Sequence, residues 1–243
     1  MLLALTFAVQ ACRKALPQDE LLVFAAASTA DVLTEVGRDF ETETTQKVRF
    51  SFGGSRDLAR QIRAGAPAAV IVSADAETID ALVEAKLVRS EDRRSFASNR
   101  LVVVVPTGAA SVAIRTPRDL VGVVRLAIGD PKLVPAGNYA RQWLEKEGLW
   151  TEVAPHVLPS LDVRAVLAAV EAGHADAGIV YRTDAARSQR VQIAYEVPVE
   201  RAPTIAYVAA RLASVDTAGA MRFLDFLTGS KARATLARHG FVL

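Results

Sequence analysis

From Leu21 onward the apolar and polar positions follow two alternating rhythms. The short apolar runs "LLVFAAA", "VRFSF" and "AAVIVSA" each give way to a stretch whose apolar positions lie three or four apart. In "STADVLTEVGRDFETE", Leu33, Val36 and Phe40 fall on one helical face, which predicts strand followed by helix. "RDLARQIRAG", closed by Gly65, and "AETIDALVEAKL" predict further amphipathic helices. "RLVVVVP" is continuously apolar and valine-rich, as suits a strand buried on both faces and ended by Pro106.

The pattern then restarts. "RLAIGD" predicts a strand, "AGNYARQWLEKEG" and "VRAVLAAVEAG" helices, and "ADAGIVY" a strand, followed by "VQIAYEV" and "TIAYVAARL". The tail "AGAMRFLDFLTGSKARATLARHG" is helical with a break at Gly229. Such alternation predicts an α/β fold of mostly parallel sheets with helices on their faces. No fixed-period repeat or low-complexity linker separates the halves, so the chain is not read as beads on a string. Long strands near Leu101 and Tyr207 are instead the expected crossings between two α/β lobes. The expected division is 1–20 as leader and tether, 21–101 with 206–243 as lobe I, and 102–205 as lobe II. Facing lobes gather strand ends and helix starts along one cleft, where open α/β sheets bind ligands.

Composition narrows the partners. With 243 residues, 51% of them hydrophobic, the chain can bury a large core. Its formal charge is only +2, and its cations are scattered among acids, so no basic stripe points to nucleic acid. The opening "MLLALTFAVQAC" is too short to span a bilayer, which takes roughly 20 residues, and suits an export signal that lacks its usual positive start. Cys12 is the only cysteine, so no internal disulfide forms, and its place after "VQA" resembles the lipobox of bacterial lipoproteins.

Five short stretches offer N–H or O–H donors where a strand gives way to a helix or turn: "AAAST", "FGGSR", "VPAGNY", "SLDVRA" and "GIVYRTD". Ser28, with Asp31 three places on, has the spacing of a capping box. Ser55 raises a sharper choice, because strand, glycines, serine and helix is also the layout of a hydrolase nucleophile. That elbow requires glycine two places after the serine, where Asp57 stands, and His156, His174 and His239 have no recognisable partner context. The other use of such a turn is to cradle an anion. Ala136 lies just past a proline at a helix start, and Val163 follows Asp162, a candidate cap. Tyr181 emerges from an apolar strand, while Arg164 and Arg182 read as solvated or paired. The scattered histidines and single cysteine make no metal-ligand spacing, and neither a Walker sequence nor a dinucleotide fingerprint is present.

Taken in order, "VFAAAS", "SFGGSRDLARQIRAGAPA", "VIVSAD", "NRLVVVVP", "LAIGDPKLVPAGNYA", "LDVRAVLAAVEAGHADAGIVYRTDA" and "HGFVL" resemble the periplasmic molybdate-binding proteins of ABC importers, over nearly the whole chain after Leu21. The resemblance implies a type II periplasmic-binding-protein architecture, with two α/β lobes joined by two crossing strands around a ligand cleft. It implies a monomeric receptor that catalyses nothing and needs no cofactor. Such a receptor captures molybdate or tungstate outside the cell membrane and delivers it to a permease driven by a cytoplasmic ATPase. Lipidation at Cys12 would anchor it there. The family holds its oxyanion with two serines, a tyrosine and backbone amides, which fall here on Ser28, Ser55, Tyr181, Ala136 and Val163. Gly54 and Arg56 depart from the small or hydroxyl residues expected around Ser55, and Arg56 could either face solvent or lend its charge to the cleft. A receptor for another oxyanion such as sulfate, a serine hydrolase using Ser55, and the ligand-sensing domain of a regulator stand as alternatives.

Overall fold

The computed structural model describes residues 20–108, 113–215 and 218–243. Cys12, with the export and lipidation signals expected around it, lies outside them. The first half alternates strand and helix: β1 (Glu20–Ala26), α1 (Ala30–Thr44), β2 (Lys47–Gly53), α2 (Ser55–Arg63), β3 (Val70–Ser73), α3 (Ala76–Glu84) and β4 (Val88–Ala97). After β5 (Leu101–Pro106) come β6 (Leu126–Gly129), α4 (Pro135–Lys146), α5 (Trp150–Val153), β7 (Val157–Ser160), α6 (Val163–Glu171), β8 (Ala177–Tyr181), α7 (Arg182–Ala185) and β9 (Val191–Glu196). The chain closes with β10 (Tyr207–Leu212), α8 (Ala218–Thr228) and α9 (Ser230–Arg238).

Two five-stranded sheets result, ordered β2-β1-β3-β10-β4 and β7-β6-β8-β5-β9. Each forms one lobe with the helices packed on its faces. Alternation along β1 explains the layering: Val23 and Ala25 join the core that contains Leu33, Val36 and Phe40 of α1, whereas Phe24 joins Leu58 and Ile62 of α2 and Ile79 and Leu82 of α3. In the second sheet Leu101 to Val105 are buried throughout, as their unbroken apolar run requires.

The sheets are mixed rather than mostly parallel. β1 pairs in parallel with β2 and β3, and β6 with β7 and β8, but β10 and β5 run antiparallel to both of their neighbours. The reason lies in the crossings. The chain passes between the sheets at 98–100 and 197–206, so β5 and β10 start at the cleft and run away from it, while the strands beside them run toward it. Leu101 at the start of β5 accordingly pairs with Tyr181 at the end of β8. The two crossings are tied together where Ser98 Oγ donates to the Ile205 carbonyl at 2.7 Å.

Candidate functional site

Strand ends and helix starts from both lobes meet around one small cavity. Ser28, Ser55, Ala136, Val163 and Tyr181 all line it. No lysine, arginine or histidine is among its lining residues, and its one carboxylate belongs to Asp162.

Ser28 follows β1 in a tight turn, Ala27–Thr29, whose shape is held by Thr29 Oγ1 donating to the Ala26 carbonyl at 2.7 Å. It does not cap α1, as its spacing from Asp31 predicts; Thr29 is the residue before that helix, and no side-chain cap bond is made. The Ser28 oxygen instead accepts from the Tyr207 hydroxyl at 3.0 Å, because the extra turn moves Ser28 one residue back from the helix start and toward β10. Its own hydroxyl proton is thus left to another acceptor.

Ser55, fully buried, opens α2. Its oxygen accepts from the backbone N–H of Ala74 at 3.1 Å. The turn supplying that N–H is held by Asp75, whose Oδ1 accepts from Thr78 N–H and Ser73 Oγ, both at 3.0 Å. Since a backbone N–H can only donate, the Ser55 proton is also free for a guest. Gly54 lets this helix start lie close to the other lobe: a Cβ there would stand 3.0 Å from the Leu161 carbonyl oxygen and 3.3 Å from that of Leu133. Arg56 turns away from the cavity to Glu77 at 2.7 Å and Asp75 at 3.4 Å.

The other lobe contributes amides. In α4, Pro135 takes the first helical position, Asn138 N–H bonds back to Val134, and no side chain caps the start, so the Ala136 N–H has no acceptor within its helix. Gly137 makes this approach possible, because a Cβ there would collide with the Gly129 carbonyl oxygen at 1.8 Å. In α6, Asp162 caps as expected, but Oδ1 takes the N–H groups of Arg164 and Ala165, at 2.8 and 2.9 Å. That leaves the Val163 N–H and engages the only carboxylate of the lining.

Tyr181 ends β8 with its side chain buried and its hydroxyl without a hydrogen-bond partner among the described residues. Burial pushes its pKa well above the usual phenol value, so it stays a neutral donor. Buried polar groups are rarely left unpaired, and one aimed into a cavity lined by donors points to a ligand acceptor.

Arg164, read from sequence as solvated or paired, bonds Asp31 across the cleft at 2.6 Å and lies 3.0 Å from Asp184. Arg182 stands 3.5 Å from Glu196. None of His156, His174 and His239 lines the cavity, and His239 instead meets Glu35 at 2.8 Å. Sequence reasoning passed over the residues behind the serines, Tyr207 and Asn99 behind Ser28 and Ala74 behind Ser55. Tyr207 sits in an apolar run and reads as core, and Ala74 acts through its backbone, so neither carries a signal of its own.

Comparison with known proteins agrees with this geometry. Residues 21–242 match the family described as bacterial extracellular solute-binding protein. The molybdate-binding protein ModA of Escherichia coli K12 is 36% identical over 99% of this chain and 95% of its own length. That of Haemophilus influenzae is 34% identical over 91% of this chain and 89% of its own length. The solved periplasmic molybdate-binding protein of Azotobacter vinelandii superposes with a TM-score of 0.81 at 25% identity, covering 92% of this chain and 99% of that one. The chain therefore belongs to the bacterial extracellular solute-binding protein family, and it folds as a two-lobed periplasmic binding protein.

Proposed function

We propose that the protein captures molybdate or tungstate between its lobes and delivers it to the membrane permease of an ABC importer driven by a cytoplasmic ATPase. The observation that carries this reading is the buried Tyr181 hydroxyl, without a partner among the described residues, meeting four other potential donors, from Ser28, Ser55, Ala136 and Val163, in one cavity with no cationic side chain among its described lining residues. Helix starts carry partial positive charge and free amides, so neutral dipoles can hold a dianion. The molybdate-binding names of relatives 36% and 34% identical support the same ligand.

A donor-lined cavity also discriminates. Phosphate that carries a proton presents an O–H with no acceptor, and burying it unsatisfied costs roughly 1–3 kcal/mol. Sulfate has the charge of molybdate but shorter bonds, so it cannot reach every donor at once. The hydrolase alternative loses its support, because the Ser55 oxygen is engaged by a backbone N–H and no histidine stands beside it. In this reading the chain catalyses nothing, works as a monomer in the periplasm or on the outer face of a membrane, and is anchored through Cys12. Residues 21–101 with 206–243 form lobe I and 102–205 lobe II, and the ligand is enclosed by closure about the two crossings.

Titration calorimetry of the soluble part with molybdate, tungstate, sulfate and phosphate tests this directly. Tight binding of the first two with weak binding of the others is expected. A sulfate response without a molybdate response would assign the site to another oxyanion.

A further inference from the structure

Ser28 is a dependable donor to a guest only if its oxygen is committed elsewhere as an acceptor. A run of hydrogen bonds makes that commitment. It begins at a group of fixed sense, the backbone N–H of Arg100, which donates to Asn99 Oδ1 at 2.9 Å. The Asn99 amide is thereby oriented with Nδ2 toward Thr183 Oγ1, at 2.9 Å, and the Tyr207 hydroxyl, at 3.3 Å. Because Nδ2 only donates, the Tyr207 oxygen must accept from it and send its own proton to Ser28 Oγ, 3.0 Å away. Ser28 is left with its O–H directed at the cavity it lines.

We propose that Asn99 and Tyr207 are positioning residues that make Ser28 an obligate donor, so that the site prefers fully deprotonated oxyanions over those bearing a proton. This rests on the reading of the cavity as an oxyanion site. Ser28, Asn99, Thr183 and Tyr207 are all buried, so water does not compete for these bonds. Ser55 gains the same sense from one backbone N–H, whereas Ser28 obtains it through side chains. The relay also sits where the lobes join: Asn99 lies in the first crossing, Tyr207 opens β10 in one lobe, and Thr183 belongs to α7 in the other.

The test compares the parent with Tyr207→Phe and Asn99→Leu at pH 8, with molybdate affinity taken from calorimetry and phosphate affinity from competition against molybdate. Tyr207→Phe deletes one oxygen and keeps the ring that packs on Phe96, Tyr181 and Phe241. Without the Tyr207 donor, Ser28 can accept from the phosphate O–H, so the molybdate-to-phosphate affinity ratio falls by about tenfold or more. Asn99→Leu removes the orienting donor but leaves the phenol, and falls between Tyr207→Phe and the parent. A Tyr207→Phe protein in which both affinities drop together, or neither changes, overturns the relay and leaves the oxyanion reading intact. A parent that binds no molybdate overturns the reading itself.

Discussion

Tyr181 holds a phenol hydroxyl inside the protein without a hydrogen-bond partner among the described residues, at a cost to the unliganded state of about 1–3 kcal/mol. A ligand oxygen removes that cost, so Tyr181→Phe is expected to weaken molybdate binding by about 1–3 kcal/mol while leaving the melting temperature of the free protein equal or higher. Calorimetry and a thermal melt read the two effects, and an unchanged affinity would strike Tyr181 from the donor set. Ser55→Ala differs, because it also strands the Ala74 N–H; affinity and stability are expected to fall together. Asp184, three residues beyond Tyr181 and fully buried, supplies a pH dependence. Burial pushes its carboxyl up to about 7 from 3.8, against the opposing pull of Arg164 and Arg187 and with the help of Asp31. The folded protein therefore binds a proton that the unfolded chain does not. The contribution is fully present below about 3.8 and is lost as pH rises through about 7. Asp184→Asn should accordingly flatten the fall in melting temperature between about pH 4 and 7; an identical decline in parent and variant would contradict the assignment.

Among the elements, the start of α2 lies hard against the opposite lobe. Gly54→Val would press a branched side chain against the Leu161 and Leu133 carbonyl oxygens, at 3.0 and 3.3 Å from its Cβ. An open cleft accommodates that side chain and a closed one does not. Molybdate affinity is therefore expected to drop tenfold or more, about 1.4 kcal/mol, with little change in the melting temperature of the free protein. An unaltered titration would show that closure does not bring α2 this near. The helix carrying Val163 was legible in advance, since Asp162 before an apolar period is a physical cap signal and does cap α6. The unbroken valines of β5 were equally plain. β4 was not: "VRSEDRRSFA" has no apolar alternation, because it is an edge strand whose buried Asp92 is matched by Arg211 of β10 at 2.7 Å. The Ser28 turn was misread as a cap because spacing to Asp31 carries no information about the Tyr207 hydroxyl 179 residues away. Local pattern reveals caps and periods; bonds between distant strands leave no trace in it.

For the whole molecule, the cleft is bridged on both sides of the cavity. Asp31 of the first lobe pairs with Arg164 and Arg187 of the second, and Arg56 reaches the Lys132 carbonyl at 3.5 Å. These partly exposed contacts are modest one by one, so in the proposed capture most of the drive to close is supplied by the ligand. At a hundredfold excess over Kd, molybdate should add about 2.7 kcal/mol of stability, or roughly 5–10 °C in a chain of this size. Sulfate at equal concentration should add far less, and equal shifts would argue against selective capture. The placement of β10 between β3 and β4 has one more consequence. The ribosome makes both serine-bearing turns early, yet an interior strand of their sheet is supplied by residues 207–212, after every strand of the other lobe has been made. The half synthesised first is thus completed last, and its sheet lacks an interior strand until residues 207–212 have emerged.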